Sequence, residues 1–254
     1  MDQQCLRALR EAELSLVKPY FPPGLRVLEI GGGSGFQADI LASWGCDVAS
    51  IDLPEVAATA KEHQVQSYDG KHIPFADHTF DVVFSSNVLE HVPHLTVILN
   101  EIARVTKVDG MVVHILPSSA WRFWTIVTHY AHLTKRVVGL IFRRDEKSAR
   151  SCSQASSANR GWRVLLRRVF LDGPHGVYPN EFYELYAFSR SRWLHVFQTH
   201  GFEVTRCFSS GLFYTGYAIF PRLSIDSRRR LSRYLGSATR IYAMRPLMQG
   251  RASS

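Results

Sequence analysis

A short apolar run, Arg26-Val27-Leu28-Glu29-Ile30, leads directly into Gly31, Gly32 and Gly33, with Gly35 one residue further on. Glycines set between a strand and a helix let backbone N–H groups and a helix N-terminus approach a ligand, because no Cβ stands in the way. Asp52 closes the next apolar run, 21 residues after Gly31. A carboxylate there can accept hydrogen bonds from ribose hydroxyls. Two histidines are candidates for proton transfer. His175 lies between glycines in Asp172-Gly173-Pro174-His175-Gly176-Val177-Tyr178, on a loop from which it can project into a cleft, with Tyr178 and Glu181 near enough in sequence to orient it. His91 follows Glu90 just past another apolar run. Each also has a plainer role: an exposed turn for His175, helix capping or packing for His91. No His, Cys, Asp or Glu cluster has the spacing of a metal site, so none is expected. Cys5, Cys46, Cys152 and Cys207 are scattered without a C-x-x-C pair and read as free thiols.

The glycine loop suits two kinds of ligand. A dinucleotide calls for G-x-G-x-x-G/A, but the third small position is Phe36. Glu29 at the strand tip would also repel a pyrophosphate, whereas it would attract a cation. S-adenosylmethionine carries an ammonium and a sulfonium and no phosphate, so it matches the sign. A nicotinamide-dependent oxidoreductase and a non-catalytic module that only binds S-adenosylmethionine remain as alternatives.

Glu29-x-Gly31-x-Gly33-x-Gly35 resembles motif I of the class I S-adenosylmethionine-dependent methyltransferases. The stretch Asp69-Gly70-Lys71-His72-Ile73-Pro74-Phe75-Ala76-Asp77-His78-Thr79-Phe80-Asp81, followed by Leu89-Glu90-His91-Val92, is similar to the branch of ubiquinone- and menaquinone-biosynthesis methyltransferases. The likeness covers residues 24–117 well, 189–204 loosely, and the stretch between them not at all. It implies that Glu29, Gly31, Gly33 and Gly35 form the cofactor loop, and that Asp52, with the adjoining Leu53, holds the ribose. It places Asp69 and Gly70 by the adenine, and Ser85 and Asn87 along the methionine end. Ile73 replaces the family's leucine, one apolar residue for another.

Such a loop needs a sheet to hold it. Apolar runs at 26–30, 47–51, 65–68, 81–85 and 111–116 alternate with helical patterns at 3–17, 35–44, 54–63 and 95–105. That alternation predicts βαβ units and a doubly wound, mostly parallel α/β sheet. A helix over 191–200, a strand over 202–207, an Arg-rich helix over 223–235 and a strand over 239–244 complete seven strands. The 254 residues form one methyltransferase-like domain in this reading. Residues 118–188, rich in Trp, Arg and Ser, form an inserted helical cap over the substrate, because a structureless loop of that length is out of place in a compact domain.

Charge is unevenly spread. Residues 1–117 hold 8 Lys+Arg against 15 Asp+Glu, residues 118–172 hold 11 against 3, and residues 190–254 hold 11 against 2. A basic second half points to an anionic partner or to a solvated surface. Trp162, Leu165, Leu166, Val169 and Phe170 share a helical face opposite Arg163, Arg167 and Arg168. This favours packing or an anionic membrane surface over nucleic acid, because the aromatics are already committed. The start of the chain has no apolar leader region and no run is long enough to span a bilayer. The expectation is a cytoplasmic protein, with membrane association an option. It moves a methyl group to a small or lipid- or glycan-linked acceptor, oxygen being favoured because of His175. The sequence leaves the oligomeric state open.

Overall fold

The computed structural model describes residues 3–130, 175, 177–178, 180–216 and 223–247. In chain order the elements are α1 (Gln3–Val17), β1 (Arg26–Ile30), α2 (Phe36–Ser43), β2 (Asp47–Asp52), α3 (Pro54–Ala57), β3 (Val65–Ser67), β4 (Phe80–Ser86), α4 (Leu95–Val105), β5 (Thr106–Pro117), α5 (119–130), α6 (Glu181–Ala187), α7 (Arg190–Thr199), β6 (Phe202–Ser209), α8 (Ile225–Leu235) and β7 (Thr239–Pro246). The sheet runs β3-β2-β1-β4-β5-β7-β6, with β7 antiparallel to both of its neighbours and the other pairings parallel. Seven strands in a mostly parallel, doubly wound sheet are what the alternation of runs predicts.

Alternate strand residues face opposite layers. Leu28, Val83 and Val112 meet Ile98, Leu99 and Ile102 of α4 and Trp193 and Phe197 of α7 on one face. Val27, Phe84 and Val113 meet Leu14 and Val17 of α1 and Leu41 of α2 on the other. Trp193 is fully buried and stacks on Phe197, with ring centroids 5.5 Å apart. Trp193→Ala is expected to lower unfolding free energy by about 3–5 kcal/mol, the range for deleting a buried aromatic. Urea denaturation measures it, and a loss below about 1 kcal/mol would mean that this helix is not docked on the sheet as described.

Strand order reverses between β1 and β4, and in open α/β sheets the crevice beyond the strand C-termini at such a point is the ligand site. The helix expected over 54–63 is shorter than its pattern suggests. After α3 the N–H groups of Thr59 and Ala60 bond three residues back, and those of Lys61 and Glu62 turn to the carbonyl of Ser34. The glycine loop thus captures the backbone that would have continued the helix. Of the stretch expected to be a cap, α5 and α6 are described. Glu181's side chain and the Trp162–Phe170 face lie outside the described residues.

Candidate active site

The glycine loop is wired to β2. The N–H groups of Gly31 and Gly32 donate to the Ile51 carbonyl at 2.8 and 3.1 Å. Asp52 accepts from Gly33 N at 2.8 Å through one oxygen and from Leu53 N at 2.7 Å through the other. Gly33 has φ +56° and nothing within 4 Å of where a Cβ would sit, so the loop presents bare backbone to open space. Gly35, at φ +85°, instead has its would-be Cβ pressed against the backbone of His63. Phe36, the residue that breaks the dinucleotide pattern, carries the Arg7 guanidinium 4.4 Å over its ring, and Arg7 also pairs with Glu62.

Beside this loop is a cavity of about 300 Å³. From the sequence-derived set, Gly31, Asp52, Leu53, Gly70, Asn87 and His91 line it. Tyr68, Ser86 and Val88 also line it, and no sequence signal singles them out. Tyr68 directly follows β3, its N–H donating to the Asp52 carbonyl, and burial pushes its phenol up to about 12, with Asp52 and Asp69 adding to the shift. Asn87 takes φ +55°, donating its backbone N–H to Ile115 and its side-chain amide to Ser86.

Gly33 and Gly35 belong to the adjoining loop and not to the lining, and Ser85, Asp69 and Glu29 sit elsewhere. Ser85 is fully buried, 2.7 Å from His114 Nδ1, its register partner on β5, so Ser86 takes the place along the cavity expected of Ser85. Strand alternation turns Ser85 into the sheet. His114, equally buried, has its pKa depressed to about 3 by desolvation and stays neutral. Asp69 points outward and accepts from the backbone N–H groups of His72 and Lys71 and from the His72 ring. Hydrogen bonds from His72 hold it well below the usual carboxylate range. Glu29 is 1% exposed and accepts from the Ser50 hydroxyl at 2.7 Å, behind the loop rather than on the cavity wall. Burial raises its carboxyl to about 8, against the Ser50 bond and helped by Asp52.

The two candidate histidines, 84 positions apart in sequence, are neighbours in space. Their ring centroids lie 4.9 Å apart, and His175 also meets the Trp121 ring of α5 at 4.7 Å. The Val177 N–H donates to the Glu90 carbonyl, tying the His175 loop to the end of β4. Burial depresses the His91 pKa. Beneath it, Glu90 is fully buried with its Oε1 3.9 Å from His91 Nε2, and neither carboxylate oxygen has a hydrogen-bond partner among the described residues. Burial raises Glu90 to about 8, opposed by the charge of Arg10. Tyr178 packs among Phe188 and Tyr183 with Arg192 over its ring, so it supports the loop rather than facing the cavity. Glu90, His91 and His175 offer ligand atoms within 4.8 Å of one another, a set that could hold a metal ion, although their spacing along the chain is not that of a metal site.

Glu29 and Glu90 both hold protons more tightly when folded than an ordinary carboxyl does. Their contribution is therefore full below about pH 4.5 and is lost as pH rises through about 8. The ligand-free protein is expected to melt at a lower temperature near pH 8.5 than near pH 6. The double variant Glu29→Gln, Glu90→Gln should flatten that slope. An unchanged slope by scanning calorimetry would assign it to other groups.

Comparison with known proteins fits this geometry. Residues 28–114 match the family model of the methyltransferase domain. An uncharacterized methyltransferase of Mycobacterium sp. (strain JLS) is 41% identical over 98 residues, 36% of this chain and 38% of that protein. One from Mycobacterium tuberculosis (strain ATCC 25618 / H37Rv) is 35% identical over 99 residues, 36% and 39% of the two. The likeness thus spans a little over a third of the length of these relatives. Among solved structures, a putative S-adenosylmethionine-dependent methyltransferase of Listeria monocytogenes superposes with a TM-score of 0.54 at 14% identity, covering 96% of this chain and 99% of that one. One from Mesorhizobium loti gives 0.53 at 15%, covering 92% and 97%. The fold is that of these S-adenosylmethionine-dependent methyltransferases, and the match to the methyltransferase-domain model is confined to residues 28–114. The comparisons give the oxidoreductase alternative no support. Among the described residues, no helix is long and apolar enough to cross a membrane.

Proposed function

We propose that this chain transfers a methyl group from S-adenosylmethionine to a hydroxyl of a small or lipid- or glycan-linked acceptor, with His175 and His91 as the proton-accepting pair. The observation that carries this reading is the convergence of the two histidines at the edge of the cavity that the glycine loop and Asp52 also border. The residues present suit the cofactor. Gly33 offers uncovered backbone, Asp52 is locked by two N–H donors with its carboxylate beside the cavity, and Glu29 stands behind the loop as a carboxyl that a cation can draw into its ionised form. When bound, the cofactor supplies a methyl already activated by its sulfonium, so the protein's task is alignment and exclusion of water. A neutral imidazole, its pKa lowered by partial desolvation, can take the proton of the acceptor hydroxyl as the new O–CH₃ bond forms. The ubiquinone- and menaquinone-type branch belongs to this proposal too, supported by the run from Asp69 to Asp81 and by Leu89-Glu90-His91-Val92.

A cationic ligand beside Glu29 favours its ionised form. Binding of S-adenosylmethionine near pH 7 is therefore expected to release a proton, seen as a dependence of calorimetric enthalpy on buffer ionisation heat. Equal enthalpies in all buffers, or tighter binding of NAD, would overturn the cofactor assignment. Labelled S-adenosylmethionine incubated with hydroxylated, amine and carbon acceptors tests the transfer itself, and a chain that binds the cofactor yet labels none would be the non-catalytic module.

The unpartnered buried Glu90 favours a second reading, in which Glu90, His91 and His175 hold a divalent ion and the acceptor hydroxyl binds it. Two imidazoles and a carboxylate are ordinary ligands for Zn²⁺. Titration with Zn²⁺ decides: uptake of one ion, lost in Glu90→Gln, supports the metal, and no uptake leaves the histidine pair as the base.

A further inference from the structure

On the same rim of the sheet, past β5, is a second hollow of about 430 Å³. It lies over the ends of β5 and β6 and the start of β7, on the far side of β5 from the cofactor cavity. Arg190, Arg233 and Arg240 line it, and among the described residues no carboxylate does. Elsewhere several arginines pair with acids: Arg104 with Glu101 and Asp77, Arg122 with Glu184, Arg10 with Glu13. Among the described residues, Arg190, Arg233 and Arg240 have no acidic partner.

Their placement adds to the field. Arg190 is the first residue of α7, where the helix dipole favours an anion, and no acid occupies that first turn. Helix α5 also starts at the hollow, with Ser118 capping it by accepting from Trp121 N at 3.1 Å. Two helix N-termini and three guanidiniums therefore face one space. Four serine hydroxyls of the wall are already engaged: Ser118 donates to the Ser237 carbonyl, Ser119 to that of Leu185, Ser232 to that of Gly211 and Ser237 to that of Thr239. They fix the wall and leave the guanidiniums to bind.

We propose that this hollow is an oxyanion subsite that takes the phosphate-class group of the methyl acceptor. The claim that the anion belongs to an acceptor rests on the methyl-transfer reading above. The geometry joins the two sites. Phe188 lines the hollow and packs on Trp121 (6.3 Å between centroids), Trp121 meets His175, and His175 faces His91 on the cofactor cavity. Phe188 and Trp121 are buried, so an acceptor anchored by its phosphate at the arginines must carry its hydroxyl past this aromatic wall to reach the histidines. Forked guanidiniums suit a phosphate better than any single cation, because each can make two charge-assisted hydrogen bonds.

The test titrates inorganic pyrophosphate into the full chain at low salt, with and without S-adenosylmethionine. Arg233→Gln and Arg240→Gln are compared with Arg230→Gln, which removes the same charge from the exposed side of α8. Retained binding of S-adenosylmethionine shows that each variant is folded. Pyrophosphate is expected to bind, and each lining variant to weaken it at least about tenfold while Arg230→Gln leaves it unchanged. No binding, equal binding by the lining variants, or equal weakening by Arg230→Gln overturns the subsite. A second arm uses phosphatidylcholine vesicles with and without phosphatidic acid. Sedimentation that depends on Arg233 and Arg240 assigns the phosphate to a lipid headgroup, and pyrophosphate binding without sedimentation assigns it to a soluble acceptor. A chain that binds pyrophosphate here but no S-adenosylmethionine keeps the subsite and loses the methyl-transfer reading.

Discussion

Gly35→Ala is expected to destabilise the protein by about 3–5 kcal/mol, while Gly33→Ala, two residues away, costs about 1–2 kcal/mol and still loses the cofactor. Both glycines have positive φ, which an alanine adopts only at a penalty. Their surroundings differ. A Cβ on Gly35 would lie 2.5 Å from the backbone nitrogen and 2.7 Å from the carbonyl oxygen of His63, and no rotamer change relieves a backbone clash. The segment carrying His63 must then move. It is also the segment in which Lys61 and Glu62 donate to Ser34, so the loop would come apart along with it. A Cβ on Gly33 meets nothing within 4 Å, and it would stand where the proposed cofactor lies. Melting curves and calorimetry with S-adenosylmethionine separate the two effects. A Gly33→Ala protein that binds S-adenosylmethionine as tightly as the parent would show that the open face of the loop is not the cradle.

That contrast also marks how far the sequence can be read. The run Arg26–Ile30, the glycines and Asp52 identify strand, loop and acid because each is a local pattern, and β1, β2 and the turn between them follow it. Ser85 shows the limit. One position decides whether a strand residue faces the cavity or the sheet, and here the pairing with His114 turns Ser85 inward and leaves Ser86 outside. The short α3 has a similar cause, since its pattern is helical but the Ser34 carbonyl competes for the N–H groups of the following turn. Glu90 carries no local sign of burial and is fully buried, because the short helical turn after β4 sets it beneath His91. The arginine hollow draws on α7, α8 and β7, and no spacing joins Arg190, Arg233 and Arg240 before the sheet is built. His175 is legible as a reactive type on a glycine-flanked loop, while its meeting with His91 and Trp121 is purely tertiary.

His175→Ala is expected to lower kcat by about 10²- to 10⁴-fold, the usual contribution of a positioned general base, with affinity for S-adenosylmethionine unchanged. The separation follows from position. His91 lines the cofactor cavity, whereas His175 is absent from that lining and stands beyond it against Trp121. His91→Ala should therefore reduce both turnover and cofactor affinity. The pH dependence supplies the sign. A base must be neutral to accept a proton, and partial desolvation lowers the His91 pKa below its ordinary value, so turnover stays on its plateau to lower pH than an unperturbed histidine allows. It then falls as pH drops through that lowered pKa. Trp121→Ala, which removes the ring packed on His175, should lower kcat with cofactor affinity unchanged. Loss of base function also has a chemical remedy: free imidazole diffusing into the space left by His175→Ala should restore part of kcat, which repair of a merely structural defect would not do. Full turnover in His175→Ala would remove this residue from proton transfer, and an acid limb unchanged by His91→Ala would remove the pair.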